Sequence, residues 1–289
     1  TPVPRFPAIS ISGTQCDLHC KHCNASYLGG MLAATTPEQL LKLSHNLVQK
    51  GAVGMLLSGG SDSRGCILNL DAMTSAINQV KSQTDLIINV HPGLASDYIA
   101  SNLKVDFASL EIAADATIKE VFGLPFMYSD YIDAYHRLIE GGNTVVPHVS
   151  VYDGTEHHLL AGMTAPETIV VIVFSPTRNT PMAHYPSPTP IMVENVIRHI
   201  KEMYPETEIS LGCMRARDRK IRHEIEMAAL QGGATRMELP MRKTLQHVHA
   251  MGFTDVINFD ACCALPTALE PRALSRRKDH RQDADQLRV

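Results

Sequence analysis

The chain carries no tryptophan, no long apolar run, no large net charge and no even set of cysteines. The missing tryptophan decides nothing. No stretch of the 289 residues approaches the roughly 18 consecutive apolar side chains of a membrane span, so none is expected. A formal net charge of −4 gives no global drive toward nucleic acid. The first residues, Thr1-Pro2-Val3-Pro4-Arg5-Phe6-Pro7, are proline-rich and do not read as a signal peptide. Seven cysteines are an odd number in a chain too long to need covalent staples, which argues against a disulfide framework. Reduced thiols without an export signal set the expectation of a cytoplasmic protein. A hydrophobic fraction of 44% with 19% charged residues is ordinary for a globular protein, and the length allows a large core.

What the chain does have is three cysteines within eight residues: Cys16, Cys20 and Cys23, spaced C-x3-C-x2-C. Three thiolates can hold three irons of a cubane [4Fe–4S] cluster and leave the fourth iron without a protein ligand. An open metal position can take a substrate or cofactor, as a catalytic zinc does. A zinc knuckle with His19 or His22 as fourth ligand uses the same residues. The apolar run over 8–12 reads as a strand and puts the triplet on the loop that follows it.

Strand-like runs alternate with helical patterns along the rest of the chain, the rhythm of βα units and a parallel sheet. Strands are expected near 8–12, 52–58, 85–91, 105–112, 144–151, 168–174, 207–213 and 234–239. Helices are expected near 37–50, 69–82, 95–103, 128–141, 154–163, 189–203, 217–231 and 241–251. Thr36-Pro37-Glu38-Gln39 joins a capping-box pattern to a proline at the first helical position, and Gly51, Gly141-Gly142 and Gly232-Gly233 punctuate helix ends. Eight units of about 33 residues fit an α/β fold of the complete (β/α)8 TIM-barrel type. The barrel domain is expected over 1–269. A charged tail over 270–289 is too poor in apolar residues to order itself.

Such barrels build chemistry at the C-terminal ends of their strands. Several polar groups pass that test. Ser58-Gly59-Gly60 ends the second strand, where two glycines permit close backbone approach. His91 ends the third, placed to orient a cofactor or substrate or simply to cap the loop. Glu111 ends the fourth, as a ligand contact or a charge paired with an arginine. His148 lies in the fifth, as a catalytic group or a hydrogen-bonded core residue. Cys213 follows the seventh beside Arg215 and Arg217, and Cys262-Cys263 closes the last apolar stretch.

The C-x3-C-x2-C spacing after a first strand resembles the signature of the radical S-adenosylmethionine (SAM) enzymes. The resemblance implies a radical SAM core whose catalytic [4Fe–4S] cluster rests on Cys16, Cys20 and Cys23, with SAM chelated by the open iron. It implies SAM contacts at Ser58, Gly59 and Gly60, with further cofactor roles for His91, Glu111 and His148. Cys213, Cys262 and Cys263 then read as ligands of a second, auxiliary iron–sulfur cluster, or else as buried thiols packing like small apolar residues. The fourth auxiliary ligand stays open among Ser61, Cys66, Arg215 and an exogenous species.

Over roughly 4–268 the chain is similar to the biotin synthase and lipoyl synthase branch. It is most similar to the first subunit of the archaeal-type two-component lipoyl synthases. The matching phrases are Phe6-Pro7-Ala8-Ile9-Ser10, Ser58-Gly59-Gly60-Ser61-Asp62-Ser63-Arg64-Gly65, His91-Pro92-Gly93-Leu94, Val145-Val146-Pro147-His148, Pro176-Thr177 with Thr180-Pro181-Met182, and Leu211-Gly212-Cys213-Met214-Arg215. Ser61 stands where that family carries a cysteine, and Asn179 where it carries glycine. The resemblance implies hydrogen abstraction from an octanoyl chain on a carrier-protein domain or peptide, with sulfur inserted from the auxiliary cluster. Its implied partners are a second radical SAM subunit and a reductase or ferredoxin as electron donor. Two other classes use the same residues: a radical SAM isomerase, mutase or cofactor-assembly enzyme of the methylornithine synthase or hydrogenase-maturase type, and a non-enzymatic metal-binding scaffold.

Overall fold

The computed structural model describes residues 5–253 and 255–275. Nine strands are present: β1 (Ala8–Ser10), β2 (Leu32–Ala33), β3 (Gly54–Ser58), β4 (Ile87–Val90), β5 (Phe107–Ile112), β6 (Val145–Val151), β7 (Thr168–Val173), β8 (Glu208–Leu211) and β9 (Arg236–Met237). All pair in parallel, in the order β2-β1-β3-β4-β5-β6-β7-β8-β9. The eight expected strands are therefore all there, each beside its sequence neighbour, as repeated βα crossovers require. The two-residue β2 is an addition at the β1 edge. Among the described residues no ladder joins β2 to β9, so the hydrogen-bonded series has two ends.

The helices are α1 (Pro37–Gln49), α2 (Leu70–Gln83), α3 (Asp97–Asn102), α4 (Tyr128–Glu140), α5 (Pro190–Met203), α6 (Arg219–Gly232), α7 (Arg242–Ala250) and the short α8 (Glu270–Ala273). The hydroxyl of Thr36 accepts from the Gln39 N–H at 3.3 Å and Pro37 opens α1, as its sequence pattern predicts. Alternate strand residues such as Ile9, Met55, Ile88, Leu110, Val149, Val171 and Ile209 pack outward against the helices in one large buried layer. Each such side chain contributes about 1.5–3 kcal/mol by leaving water. No helix among the described residues is long and apolar enough to cross a membrane.

The helix expected over 154–163 forms only a 3-10 turn, Glu156–Leu160. Gly154 and Gly162 adopt φ of +91° and +81°, which bracket the turn with left-handed backbone. The Glu156 carboxylate folds back to accept from the N–H groups of Tyr152, of Asp153 at 2.8 Å and of Gly154 at 2.9 Å. That local side-chain turn satisfies the backbone donors a helix would have used.

A second cluster lies on the inner face of the sheet. Phe6, Ile87, Phe107, Val146 and Val170 meet Ala261, Cys262, Ala264 and Leu265 there. The last apolar stretch thus forms a floor beneath the strands. It is pinned at their N-terminal ends: Asp260 pairs with Arg5 at 3.1 Å, Arg236 with Glu270 at 2.6 Å, and Arg272 with Asp106 at 3.0 Å. Residues 270–275, counted with the charged tail on composition, belong to this floor, and Ala273 is fully buried in it. Thr1–Pro4 and residues 276–289 lie outside the described residues.

Candidate metal and cofactor site

The cysteine loop leaves β1 and turns at once. Ser12 Oγ donates to the Gln15 carbonyl at 2.9 Å and accepts from the Gly60 N–H at 2.8 Å. The Asp17 N–H donates to the Ser61 carbonyl at 2.8 Å. The loop is thereby stitched onto the end of β3. A Cβ on Gly60 would stand 2.0 Å from the Gln15 carbonyl oxygen and 2.4 Å from Cys16 Cβ. The absent side chain at position 60 is therefore what lets the first cysteine approach. On its other flank the loop rests on a π-helical turn, Thr117–Phe122. Lys21 N–H donates to the Val121 carbonyl at 2.8 Å, and Cys20 Sγ lies 3.9 Å from the Phe122 carbonyl. Tyr27 and Thr177 join their hydroxyls at 2.7 Å, tying the loop to the segment after β7.

Cys16, Cys20 and Cys23 are all free and half-buried. The ligand atoms of Cys20, His22 and Cys23 lie within 4.8 Å of one another. Cys20 and Cys23 compete for a proton: the hydrogen bond from Cys20 brings the Cys23 thiol down to about 4, while that of Cys20 is driven up. Crowded thiols, one of them made more acidic by its neighbour, are the donor set a thiophilic metal meets. Nδ1 of His22 is buried with no hydrogen-bond partner among the described residues, whereas His19 Nδ1 engages Asn24 Oδ1 at 3.1 Å. The loop thus fits a three-cysteine cluster, and of the two histidines only His22 is also poised toward a metal.

Beside the loop, the barrel mouth is polar. Glu111 on β5 sits in register with His148 on β6. Burial raises the Glu111 carboxyl to about 7, against the opposing pull of a hydrogen bond from the Ser150 side chain. The rings of His91 and His148 meet edge to face at 5.1 Å. Burial lowers His91 to about 4 and His148 well below its ordinary range, so both are neutral imidazoles. Nε2 of His148 is buried and unpartnered among the described residues. Ser58 sits at the end of β3, its carbonyl accepting from the Ile11 N–H at 2.8 Å. Gly59 is less crowded than Gly60, its nearest neighbour being Ser12 Oγ at 3.0 Å from a built Cβ. Tyr152 stacks on Phe174 at 5.2 Å on the far side of the mouth.

The remaining four cysteines are also free: Cys213 is exposed, Cys66 and Cys263 are half-buried, and Cys262 is buried. Cys213 follows β8 at the mouth. Cys262 and Cys263 lie on the floor segment, packed with Phe6, Ile87 and Phe107. Burial pushes the Cys262 thiol up to about 12. Burial raises Cys263 as well, with further contributions from Cys213, Cys262 and Glu238 around it. Asn89 Nδ2 donates to Cys262 Sγ at 3.5 Å, and Ser109 Oγ donates to Asn89 Oδ1 at 3.0 Å. Neither Asn89 nor Ser109 was singled out from sequence. Their signal is the strand period: Asn89 lies two residues before His91, and Ser109 two before Glu111, on the same inward face. Arg215 is buried behind Cys213, with Nη2 bonded to the carbonyls of Glu238 and Leu239 and 3.6 Å from Glu226. Cys66 is drawn away from this group, its Sγ donating to the Leu94 carbonyl at 2.6 Å.

No protein-family model and no curated protein sequence matches the chain. Solved structures share its architecture. Methylornithine synthase (PylB) superposes with a TM-score of 0.59 at 16% identity, over 87% of this chain and 82% of that one. The FeFe-hydrogenase maturase HydG from Carboxydothermus hydrogenoformans gives 0.55 at 15%, over 80% of this chain and 57% of that one. Streptococcus suis SuiB bound to S-adenosylmethionine gives 0.56 at 12%, over 76% and 52%. The chain thus spans little more than half the length of HydG and SuiB. The fold is thus shared with these solved structures, and the three-cysteine loop after β1 stands at its C-terminal face.

Proposed function

We propose that the chain is a radical SAM enzyme. The observation that carries this reading is the cysteine loop itself: three free thiols on one turn, wedged against Gly60 at the C-terminal face of the strands. Cys16, Cys20 and Cys23 would hold a [4Fe–4S] cluster, which when bound supplies the electron that cleaves SAM to methionine and a 5′-deoxyadenosyl radical. The chain's own residues supply the vessel. Gly60, Ser12 and the 117–122 turn fix the loop. Tyr27 and Thr177 close its outer side. Glu111, its carboxyl raised by burial, and the rings of His91 and His148, whose charged forms burial disfavours, offer hydrogen bonds at the mouth. The stacked Tyr152 and Phe174 narrow the access of water.

The finer reading is sulfur insertion into an octanoyl chain. It is supported by the neighbourhood of Cys263, where Cys213 and Cys262 both act to raise its thiol. These three would hold an auxiliary iron–sulfur cluster, the sulfur source in this reading. The substrate is then an octanoylated carrier-protein domain or peptide. A second radical SAM subunit and a ferredoxin or reductase complete the system. A single-cluster isomerase or mutase is the second reading. The polar lining of the mouth favours it, since Glu111, His91, His148 and Ser150 suit a compact polar substrate better than an alkyl chain.

Anaerobic incubation with SAM, dithionite, octanoyl-lysine peptide and the second subunit tests all of this. No 5′-deoxyadenosine sinks the radical SAM reading. 5′-Deoxyadenosine without a thiolated product sinks sulfur insertion alone. Iron counted in the Cys16→Ala/Cys20→Ala/Cys23→Ala chain separates the two finer readings, because only the first leaves a second cluster behind.

A further inference from the structure

We infer that Asn89, oriented by Ser109, is a hydrogen-bond donor to the sulfur of Cys262 that sets the redox poise of a cluster bound through that cysteine. The inference rests on the auxiliary-site reading above. Its structural ground is separate. The lower interior is apolar almost throughout: Ile87, Phe107, Val146, Val170, Ala264 and Leu265 surround Cys262. Buried polar side chains are few there, and two of them, Asn89 and Ser109, are 1% and 2% exposed. An amide buried in such surroundings costs stability unless both of its ends are bonded. Here one end is fixed and the other is aimed. The Ser109 hydroxyl donates to Asn89 Oδ1 at 3.0 Å, so the NH2 group must face the other way, and there it meets Cys262 Sγ at 3.5 Å.

An NH2 group can only donate, so the sulfur accepts. Such a bond favours the sulfur with more negative charge. At the free thiol it already pulls against the burial that raises Cys262. At an iron-bound thiolate the same bond favours the reduced cluster, because hydrogen bonds to the sulfurs are among the levers that set its potential. Water cannot replace the bond where both partners are buried. Asn89 would touch the ligand sulfur directly, whereas Ser109 acts through Asn89 and is a positioning residue.

The test uses the full-length Cys16→Ala/Cys20→Ala/Cys23→Ala chain, reconstituted anaerobically with iron and sulfide. Its remaining cluster is titrated electrochemically and followed by electron paramagnetic resonance. Asn89→Leu should shift the equilibrium toward the oxidised cluster about tenfold, a lowering of about 59 mV for one electron. Ser109→Ala should move it the same way by less. Since Ser109→Ala deletes only a hydroxyl, it keeps the test open should Asn89→Leu fail to fold. A reducible cluster whose potential is unmoved or raised in these variants overturns the inference alone. No iron, or iron without a reducible cluster, overturns the auxiliary-site reading and this inference together.

Discussion

Gly60 and Cys16 touch so closely that a methyl group on the first would stand 2.4 Å from the Cβ of the second. The backbone oxygen of Gln15 is nearer still, at 2.0 Å, and neither group is the free end of a flexible side chain. Gly60→Ala must therefore displace the cysteine loop. Overpacking of this kind costs about 1–3 kcal/mol, enough to weaken cluster retention about fivefold or more. Gly59→Ala, whose nearest contacts are 3.0–3.3 Å, should retain most of it. Iron and sulfide per chain after desalting, compared across the two variants, check the difference.

The floor should respond to Asp106. This carboxylate is 5% exposed and accepts from Lys81 at 2.8 Å, Arg272 at 3.0 Å and the Ile88 N–H at 2.8 Å. Asp106→Ala leaves two cations and a backbone donor unanswered and should cost about 3 kcal/mol. Arg272→Ala removes a partly exposed partner and should cost about 1 kcal/mol or less. Urea unfolding of both variants gives the ranking. Equal losses would mean that Asp106 acts through Arg272 alone.

Glu226 carries a comparable load behind Cys213. It is fully buried and accepts from Arg222 at 3.0 Å, Thr244 at 2.6 Å and the Met241 N–H at 2.8 Å, with Arg215 at 3.6 Å. Glu226→Gln should cost about 3–5 kcal/mol by stranding the buried Arg215 charge. The double variant with Arg215→Met should recover part of that loss. Faster amide exchange confined to α7, which Glu226 anchors through Met241 and Thr244, is the accompanying signature.

Stability of the metal-free chain should depend on pH in two opposed limbs. Glu111 rises from an ordinary 4.5 to about 7, so the folded state binds a proton that the unfolded state releases. Its contribution is full below pH 4.5 and is lost as pH climbs toward 7. His91 and His148 are lowered from 6.5, so their contribution is full above that value and is lost as pH falls, toward about 4 for His91. Glu111→Gln should flatten the upper limb and His148→Gln the lower. Urea midpoints across this range, compared with the parent chain, decide it. A Glu111→Gln curve parallel to the parent would mean that Glu111 is ionised in the fold.

Most of the barrel was legible because its strands and helices are periodic. The capping pattern at Thr36 and the glycines at 51, 141–142 and 232–233 marked boundaries the structure keeps. The cysteine loop was legible for a different reason, since three like ligands at short spacing are rare without a metal. The floor was not legible. Residues 259–265 form neither helix nor strand, so no period announces them, and their partners lie far away in sequence. Cys262 meets Asn89 and Arg272 meets Asp106 only after the strands have assembled. The failed helix at 154–163 has a local cause: Glu156 spends its carboxylate on the backbone just before it, which helical periodicity does not register.

The floor also has a consequence in time. Synthesis runs from the amino end, and domains fold as their chain emerges. The cysteine loop and Gly60 are made early, but the inner space they serve stays open from below until residues 259–273 leave the ribosome. A nascent chain could therefore hold its three amino-terminal thiols in place while its other end is still unsealed. Cys16, Cys20 and Cys23 are therefore in place long before Cys262 and Cys263 are made.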